Sequence, residues 1–338
     1  MTERPLSERV SAPARLDLPE GPDAMTWRSA TTDDIPALYE LEREVSAADH
    51  PHYTTPLEEF EDDFAASFID IATDTVVAVE PDGTIQGWGL VILSPGQRTL
   101  VRTILAGAVR PSARGRGLGR RILGWQVARA EQLLATSEKT LPGWVLAYVQ
   151  ENVADARALF ERAGLSIARY FLELRRDLSQ PIPELGGGLT IEPFTPERSG
   201  AVHAAVVDAF QDHWASQPMS DEQWETFTAR SIARPDLSAV AIVDGEVAGF
   251  VLASVNDEDW EGQGFSSAYI DLVGVPRAFR GRGIAPALLA HSMRAMAAEG
   301  LEKAVLDVDS DSPTGALGLY QKVGFVESHR SIAYTREY

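Results

Sequence analysis

The sequence predicts an α/β protein made of two tandem domains, each a mixed sheet with helices on its faces. Segments with strand periodicity alternate with segments in which apolar residues recur at helical spacing, which is typical of such sheets. The same order of elements occurs twice within 338 residues, a length that allows each copy to bury its own core. A stretch rich in proline and glycine, residues 179–188, separates the copies and is the predicted linker.

The first domain, residues 25–178, follows a charged and proline-rich N-terminus, residues 1–24, that we expect to be flexible. Asp33 or Asp34 is placed to cap the first helix, and the Pro-Asp-Gly at 81–83 is a strong hairpin signal. The predicted elements are strand 25–29, helix 35–45, loop 46–55, helix 56–68, strands 75–79, 85–93 and 100–109, helix 118–134, strand 144–149, helix 154–162 and strand 167–174.

The second domain, residues 189–338, repeats this order. Asp244 and Gly245 form a hairpin signal at the place that Asp-Gly occupies in the first copy. The predicted elements are strand 189–193, helix 199–210, loop 211–219, helix 220–231, strands 239–243, 247–255 and 267–275, helix 284–298, strand 304–308, helix 315–322 and strand 326–334. Such a match along half the chain is better explained by duplication than by coincidence.

Composition and charge exclude several function classes. The formal net charge of -20 argues against a nucleic-acid partner, because phosphate binding depends on basic surface. The absence of cysteine rules out disulfides, thiolate metal sites and a cysteine nucleophile. No apolar run approaches the roughly 18 residues that span a membrane, and the N-terminus lacks the apolar segment of a signal peptide. We therefore expect a cytoplasmic protein with no membrane or nucleic-acid partner.

Each copy contains a glycine-rich turn between an apolar strand and a long helix. The turns comprise Arg114, Gly115, Arg116, Gly117, Leu118 and Gly119 in the first copy and Arg280, Gly281, Arg282, Gly283, Ile284 and Ala285 in the second. A helix N-terminus leaves backbone N–H groups unpaired and carries about half a positive charge, which suits an anion. Glycine would let a pyrophosphate approach the backbone, and we expect the arginines to add mobile positive charge. Neither turn fits the P-loop or dinucleotide pattern.

These turns resemble the acyl-CoA signature of the GNAT superfamily of N-acetyltransferases, which reads Gln or Arg, two residues, Gly, one residue, then Gly or Ala. The resemblance implies two tandem acyl-CoA-binding domains that use acetyl-CoA as cosubstrate, with its thioester between two splayed parallel strands. Besides the turns, the implied cofactor contacts are Val109 and Asn152 in the first copy and Val273, Val275 and Ser312 in the second. The family often has asparagine at the position of Ser312, so this contact departs from its pattern.

The resemblance also implies an acid that protonates the leaving thiolate, commonly a tyrosine within Leu-Tyr-x-x-x-Gly-Phe. Residues 319–325 match this context, which makes Tyr320 the candidate acid, whereas the first copy has Phe160 there. The oxyanion donor would be the backbone N–H of Val275 or, in the first copy, of Val109.

Asp271 is the candidate base, because strand alternation places it on one face with Tyr269; alternatively it only binds a cationic substrate. The matching strand of the first copy, residues 101–108, has no carboxylate. The first copy therefore lacks both catalytic groups. This asymmetry resembles tandem members of the family in which the C-terminal half is catalytic. Two alternatives stay open, namely that both halves turn over or that the protein is an acyl-CoA-binding sensor.

The expected acceptor is a small-molecule primary amine. The loop after the first helix of the second copy supplies Asp212, His213 and Trp214 as candidate ligands, together with Tyr269, because aromatic and acidic groups suit a cationic amine. Residues 259–261, Asp-Trp-Glu, are further candidates. The equivalent loop of the first copy contains His50, His52 and Tyr53 without a third ligand at metal-site spacing, so no metal is expected. The sequence predicts neither the amine's identity nor the oligomeric state.

Overall fold

A computed structural model describes residues 4–22, 24–184 and 188–338. The chain divides into two compact units. Unit 1 contains the described residues up to Arg169 together with Ser331–Tyr338, and unit 2 contains those of Tyr170–Arg330. Of the predicted flexible N-terminus and linker, residues 1–3, 23 and 185–187 lie outside the described residues.

The helices and strands follow the predicted alternation. The strands are β1 (Thr26–Arg28), β2 (Thr75–Val79), β3 (Ile85–Leu93), β4 (Val101–Val109), β5 (Gly143–Gln150), β6 (Ser166–Asp177), β7 (Thr190–Pro193), β8 (Ala239–Val243), β9 (Glu246–Ser254), β10 (Ser267–Gly274), β11 (Lys303–Asp309) and β12 (Val326–Glu337). The helices are α1 (Leu6–Arg9), α2 (Ile35–Asp49), α3 (Leu57–Ala65), α4 (Ile71–Asp74), α5 (Leu118–Leu134), α6 (Ala154–Arg162), α7 (Ser199–Ala209), α8 (Asp221–Ala229), α9 (Asp259–Gln263), α10 (Ile284–Ala298) and α11 (Ala316–Lys322).

Each unit is built on one mixed sheet. The strand order is β1-β2-β3-β4-β5-β12 in unit 1 and β7-β8-β9-β10-β11-β6 in unit 2. Within each unit the described pairs are antiparallel except for one, β4 with β5 and β10 with β11. The predicted α/β class and the repeated order of elements are confirmed.

The last strand of each sheet comes from the other half of the sequence. β6 pairs with β11 of unit 2 over residues 171–177, and β12 pairs with β5 of unit 1 over residues 331–337. The units therefore differ from the predicted domains, 25–178 and 189–338, at these two strands. Hydrophobic periodicity specifies a strand and its buried face, but it does not specify which of two similar sheets receives that strand.

The N-terminal segment packs along α5, although its composition predicts flexibility. Leu6 is fully buried, and its backbone N–H donates to the carbonyl of Lys139 at 2.9 Å. Further along, Gln132 and Arg121 of α5 donate to main-chain carbonyls of residues 13 and 20, both at 2.8 Å. Leu6 and Val10, one helical turn apart, are both buried, and this apolar pair attaches the segment to unit 1.

Helix α10 lies close against β9, which fixes the position of its N-terminus. A Cβ at Gly249 would lie 2.6 Å from Ile284 and 3.0 Å from Leu288, so the approach requires glycine. The same contact occurs in unit 1, where a Cβ at Gly89 would lie 2.6 Å from Ile122 of α5. The helix after each glycine turn is therefore held at a fixed distance from its sheet.

Some local predictions differ from the structure. α4 and α9 lie in segments for which no helix is predicted. The helical start before α2 is capped by Thr31, whose backbone N–H donates to the Asp34 carboxylate at 2.8 Å, so Asp34 completes a capping box instead of being the cap. Among the described residues, every helix is too short or too polar to cross a bilayer.

Candidate active site

Each unit has an opening where its two parallel strands separate. β4 and β5 are in register from Val101 to Leu105, yet β4 continues to Val109. β10 and β11 are in register only from Ser267 to Tyr269, yet β10 continues to Gly274. The unpaired edges leave space for a narrow ligand that can bond to strand backbone. The splayed pair implied by the sequence resemblance is therefore present twice.

A glycine turn follows the longer strand of each opening. Gly117 and Gly283 precede α5 and α10 with φ values of 83° and 74°, and Gly115 and Gly281 both have φ of 78°. This left-handed backbone explains why these positions are glycine. A Cβ at Gly115, Gly281 or Gly283 would meet no atom within 4 Å, so the turns face open space. No side chain caps either helix, and an anion such as pyrophosphate fits there.

The signature arginines brace the turns, whereas the sequence predicts mobile charge. Arg114 donates to both Asp49 oxygens at 2.8 Å, and its Nε lies 3.3 Å from the carbonyl of Val109. Arg280 repeats this arrangement with the carbonyl of Val275 at 3.3 Å and with Asp212 at 2.7 Å. Each guanidinium thus ties the end of the strand to the C-terminal end of the first long helix, at its last residue in unit 1 and just after it in unit 2.

The second arginine of each glycine turn also contacts a protein side chain, although it does not bond to the end of the strand. Arg116 donates to Glu80 at 2.9 Å, and the guanidinium of Arg282 lies 5.4 Å from the centre of the Phe279 ring. These two side chains therefore remain near the turns without joining the strand ends to the helices.

Tyr320 lies on α11 in the core beneath α10. Its ring centre is 5.9 Å from that of Phe325, and burial raises the pKa of Tyr320 to about 12, so the hydroxyl keeps its proton at neutral pH. The hydroxyl makes no hydrogen bond to any of the described residues. In unit 1 the matching residue, Phe160, packs edge-on against Tyr334 at 5.4 Å. The Tyr334 hydroxyl donates to Glu161 at 3.2 Å, so this hydroxyl is already bonded.

A carboxylate that the sequence analysis missed lies beside the unit 2 opening. The Tyr269 hydroxyl donates to Asp307 Oδ2 at 2.7 Å. Burial is the main cause that raises the pKa of Asp307, and the neighbouring Glu173 raises it further, while the bond from Tyr269 lowers it. The available signal was a carboxylate between two apolar residues of β11, because its immediate neighbours Leu306 and Val308 are buried.

Asp271, the predicted base, occupies a bulge in β10. The register with β9 shifts between Ile270 and Leu272, so strict alternation, on which the shared face with Tyr269 was predicted, does not hold there. Asp271 accepts a hydrogen bond from Ser254 at 3.1 Å. It lines a partly open cavity together with Phe227, Leu252 and Ser254.

The family profile described as acetyltransferase (GNAT) matches residues 35–165 and 201–325, which together make up most of the chain. The chain belongs to the GNAT acetyltransferase family. Each match contains one glycine turn and one pair of splayed strands, so the GNAT fold occurs in tandem, as the sequence predicts.

Relatives of known name support the same assignment. A mycothiol acetyltransferase of Streptomyces griseus is 31% identical over 235 residues, 68% of this chain and 70% of that protein. A GCN5-related N-acetyltransferase of Sphaerobacter thermophilus has a TM-score of 0.70 and 26% identity, covering 94% of this chain and 97% of that one. A tandem GNAT protein from the clavulanic acid biosynthesis pathway has a TM-score of 0.66 at 14% identity, covering 93% and 98%, and shares the fold. The predicted N-acetyltransferase is confirmed.

Asp212, which the sequence suggests as a substrate ligand, is already paired with two arginines. It accepts hydrogen bonds from Arg280 and Arg277, and these bonds lower the pKa of Asp212 to about 2. Two guanidinium groups already compensate its single charge. Asp212 and Arg280 thus form a brace that holds the end of the strand before the glycine turn, as Asp49 and Arg114 do in unit 1.

The other predicted acceptor residues of unit 2 each contact a different part of that unit. His213 lies 4.3 Å from the Phe210 ring centre, and burial lowers the pKa of His213, which favours the neutral imidazole. Trp214 lies 6.3 Å from Phe171 on β6. Trp260 belongs to α9, and its indole N–H donates to the carbonyl of Ser267 at 3.2 Å, so it packs against the sheet.

The predicted contacts with the CoA arm differ between the GNAT units. Asn152 donates to the carbonyl of Asp49 at 2.9 Å, which links it to the brace of unit 1. Ser312 shares a hydrogen bond with Thr314 at 2.9 Å. Val273 and Val275 pack against the core beneath α10, which leaves their backbone to line the opening.

The histidines of the first loop are neighbours of one another and of a tyrosine. His50 and His52 have ring centres 6.3 Å apart, and His50 lies 6.4 Å from Tyr53. Across the described ranges, no group of three or more His, Cys, Asp or Glu residues is arranged to hold a metal ion.

Proposed function

We propose that unit 2 transfers an acetyl group from acetyl-CoA to the primary amine of a small molecule, by direct attack within a ternary complex. The observation that carries this proposal is the pair Tyr320 and Phe160. Both occupy the helix after the shorter parallel strand, but only Tyr320 has a proton to donate. The similarity to mycothiol acetyltransferases supports a small-molecule acceptor.

Binding would use the glycine turn and the opening. Gly281 and Gly283 present uncapped backbone N–H groups of α10 to the pyrophosphate, and Arg280 keeps the turn attached to Val275. Acetyl-CoA supplies an activated thioester. The unpaired edge of β10 beyond Tyr269 would hold it, with the backbone N–H of Val275 as the candidate oxyanion donor.

Acetyl transfer would need one group that accepts the ammonium proton and a second group that protonates the leaving thiolate. Tyr320 suits the second task, because burial keeps it protonated and its hydroxyl makes no bond to the described residues that would compete. Asp271 is a candidate for the first task. Unit 1 keeps its opening and turn, so we expect it to hold acetyl-CoA without turnover.

Matched glycine variants test the assignment of the two units. Gly283→Glu places a bulky anion where the pyrophosphate of unit 2 would lie, and Gly117→Glu does so in unit 1. We expect Gly283→Glu to abolish nearly all CoA release with a panel of primary amines, and Gly117→Glu to remove one binding event from an acetyl-CoA titration while most activity remains. Circular dichroism of both variants checks folding. Activity that survives only in Gly283→Glu would assign catalysis to unit 1, and activity in both would favour two catalytic units.

A further inference from the structure

Tyr269 and Asp307 join β10 and β11 at the point where these strands part. Tyr269 is the last residue of β10 in register with β11, opposite Val305, and Asp307 lies two residues further along β11. Their hydrogen bond of 2.7 Å therefore spans the start of the opening. In the proposed function, on which this inference rests, the thioester lies in that opening.

Asp307 faces away from the core that contains Tyr320. Its alternate neighbours Leu306 and Val308 are buried in the core beneath α10 together with Tyr320, so Asp307 points to the opposite face. An amine that attacks the thioester from this face would leave the thiolate on the Tyr320 side. Asp307 and its bond to Tyr269 are exposed to solvent, so an amine can reach the carboxylate.

Glu173 on β6 lies directly opposite Asp307 in the antiparallel pair of β6 and β11. Like charges at such positions destabilise a sheet. Arg175 and Ser328 compensate Glu173 through hydrogen bonds of 2.7 and 2.6 Å, and Tyr269 donates to Asp307. A bound ammonium group would offset the remaining repulsion.

We propose that Asp307 is the general base of the unit 2 reaction, that its substrate is a cationic primary amine, and that Tyr269 positions the Asp307 carboxylate. Asp307 accepts one proton from the ammonium group, and the neutral nitrogen forms the new C–N bond as the C–S bond breaks. The thiolate takes a proton from Tyr320, which recovers one from the acetylated nitrogen through water. Of the two protons that the ammonium loses, one ends on CoA and one passes from Asp307 to solvent.

Asp271 is less suited to this task because of where its partners lie. It accepts a hydrogen bond from Ser254, and the walls of its cavity come from β9, the end of α8 and the segment between α8 and β8, together with Phe194, with none from β11. Asp271 thus lies on the β9 side of β10, whereas Asp307 lies on the β11 side, where the opening is.

The first test compares Asp307→Asn with Asp271→Asn, using glucosamine, tyramine and cadaverine as acceptors. Asn keeps an oxygen that accepts from Tyr269, so the strands should remain joined; thermal melts check folding. We expect Asp307→Asn to lower kcat about 10²-fold with acetyl-CoA affinity unchanged, and Asp307→Glu to restore part of the rate. Asp271→Asn should lower the rate by less than Asp307→Asn does. A greater loss in Asp271→Asn than in Asp307→Asn would overturn the inference.

The second test uses the pH profile, which a purely structural role would not move. The groups that face Asp307 are Tyr269 on β10 and Glu173 on β6, the latter with its partner Arg175; His213 lies near Asp309, further along β11. In the wild type, kcat/KM should fall as the pH drops through the pKa of Asp307. Tyr269→Phe removes a bond that lowers this pKa, so the acid limb should move to higher pH.

Glu173→Gln removes a charge that raises the same pKa, so its acid limb should move to lower pH. Shifts in the same direction, or none, would contradict Asp307 as the base. A wild type that acetylates none of the three amines would instead overturn the proposed function together with this inference.

Discussion

Arg280 bonds to Asp212 at 2.7 Å while its Nε donates to the carbonyl of Val275, so one guanidinium joins the end of β10 to the segment after α7. Arg114 and Asp49 repeat this geometry in unit 1. The same arrangement recurs in two copies that have diverged, and both copies retain the glycine turn. We therefore infer that these bonds support the glycine turn and do not bind the acceptor.

Asp212→Asn should therefore raise the KM for acetyl-CoA and leave the KM for the amine unchanged. Because Arg277 and Arg280 lose their charged partner, we expect a rise of roughly tenfold in the KM for acetyl-CoA. Steady-state kinetics with each substrate varied in turn measures both constants. Asp49→Asn is the matched control in unit 1 and should change neither. A rise in the amine KM alone would return Asp212 to the role of a substrate ligand.

Tyr320→Phe should lower kcat by about 10²-fold, because the variant cannot protonate the thiolate, whereas acetyl-CoA affinity should stay nearly constant. The ring keeps its contact with Phe325, so stability should change little. Tyr334→Phe in unit 1 removes a hydroxyl bonded to Glu161 and serves as the control. Equal rates for wild type and Tyr320→Phe would reduce Tyr320 to a packing residue.

Acetyl-CoA should stabilise the protein against heat. A ligand present at a hundredfold excess over its dissociation constant adds about 2.7 kcal/mol to the free energy of unfolding. Differential scanning fluorimetry with and without acetyl-CoA measures the shift in Tm, and Gly283→Glu should reduce it. An unchanged Tm at saturating acetyl-CoA would contradict binding at either turn.

Leu6→Ala should destabilise unit 1 by about 2–4 kcal/mol, because Leu6 is fully buried and its removal leaves a cavity beside Gly143. Leu18 lies in the same N-terminal segment but is 41% exposed, so Leu18→Ala should stay within about 0.5 kcal/mol. Urea unfolding of both variants provides the comparison. Equal and small effects would mean that the segment does not pack as described.

Asp34 should make stability depend on pH below about 4. Hydrogen bonds from Arg28, the main cause, lower the pKa of Asp34 to about 2 from its ordinary 3.8. Because the folded pKa lies below the unfolded one, the contribution is complete above about pH 4 and is lost as the pH falls towards 2. Relative to Asp34→Asn, wild type should be more stable by roughly 1–2 kcal/mol at pH 6 and by almost nothing at pH 2. Urea titrations at both pH values test this, with the exposed Asp33→Asn as control.

The sequence predicted the order of elements and both turns, because these depend on local signals. Asp244 and Gly245 both have positive φ, as a tight hairpin requires, and Gly117 and Gly283 adopt the left-handed conformation that only glycine accepts easily. The partners of β6 and β12 were not predictable in this way. Pairing depends on contacts between distant segments, for which a single sequence contains no local signal.

The same contrast between local signals and distant contacts applies to the site residues. Tyr320 was predicted from a short motif, and its ring lies in the core of unit 2. Asp212 was predicted to bind the acceptor because its charge suits an amine. In the structure its carboxylate is instead bonded to two arginines that lie far from it in sequence. Asp307 was missed because its significance comes from Tyr269 on another strand, and Asp271 was favoured because a bulge cannot be seen in an alternating pattern.

The pairing of β12 with β5 also constrains biosynthesis. Residues 331–337 are synthesised long after β5, yet they complete the sheet whose first strand begins at Thr26. During translation the free edge of β5 therefore stays unpaired while the rest of the chain is made, and an unpaired edge can recruit foreign strands. An expression fragment that stops within residues 179–188 would keep this defect permanently, so both units must be produced as one intact polypeptide.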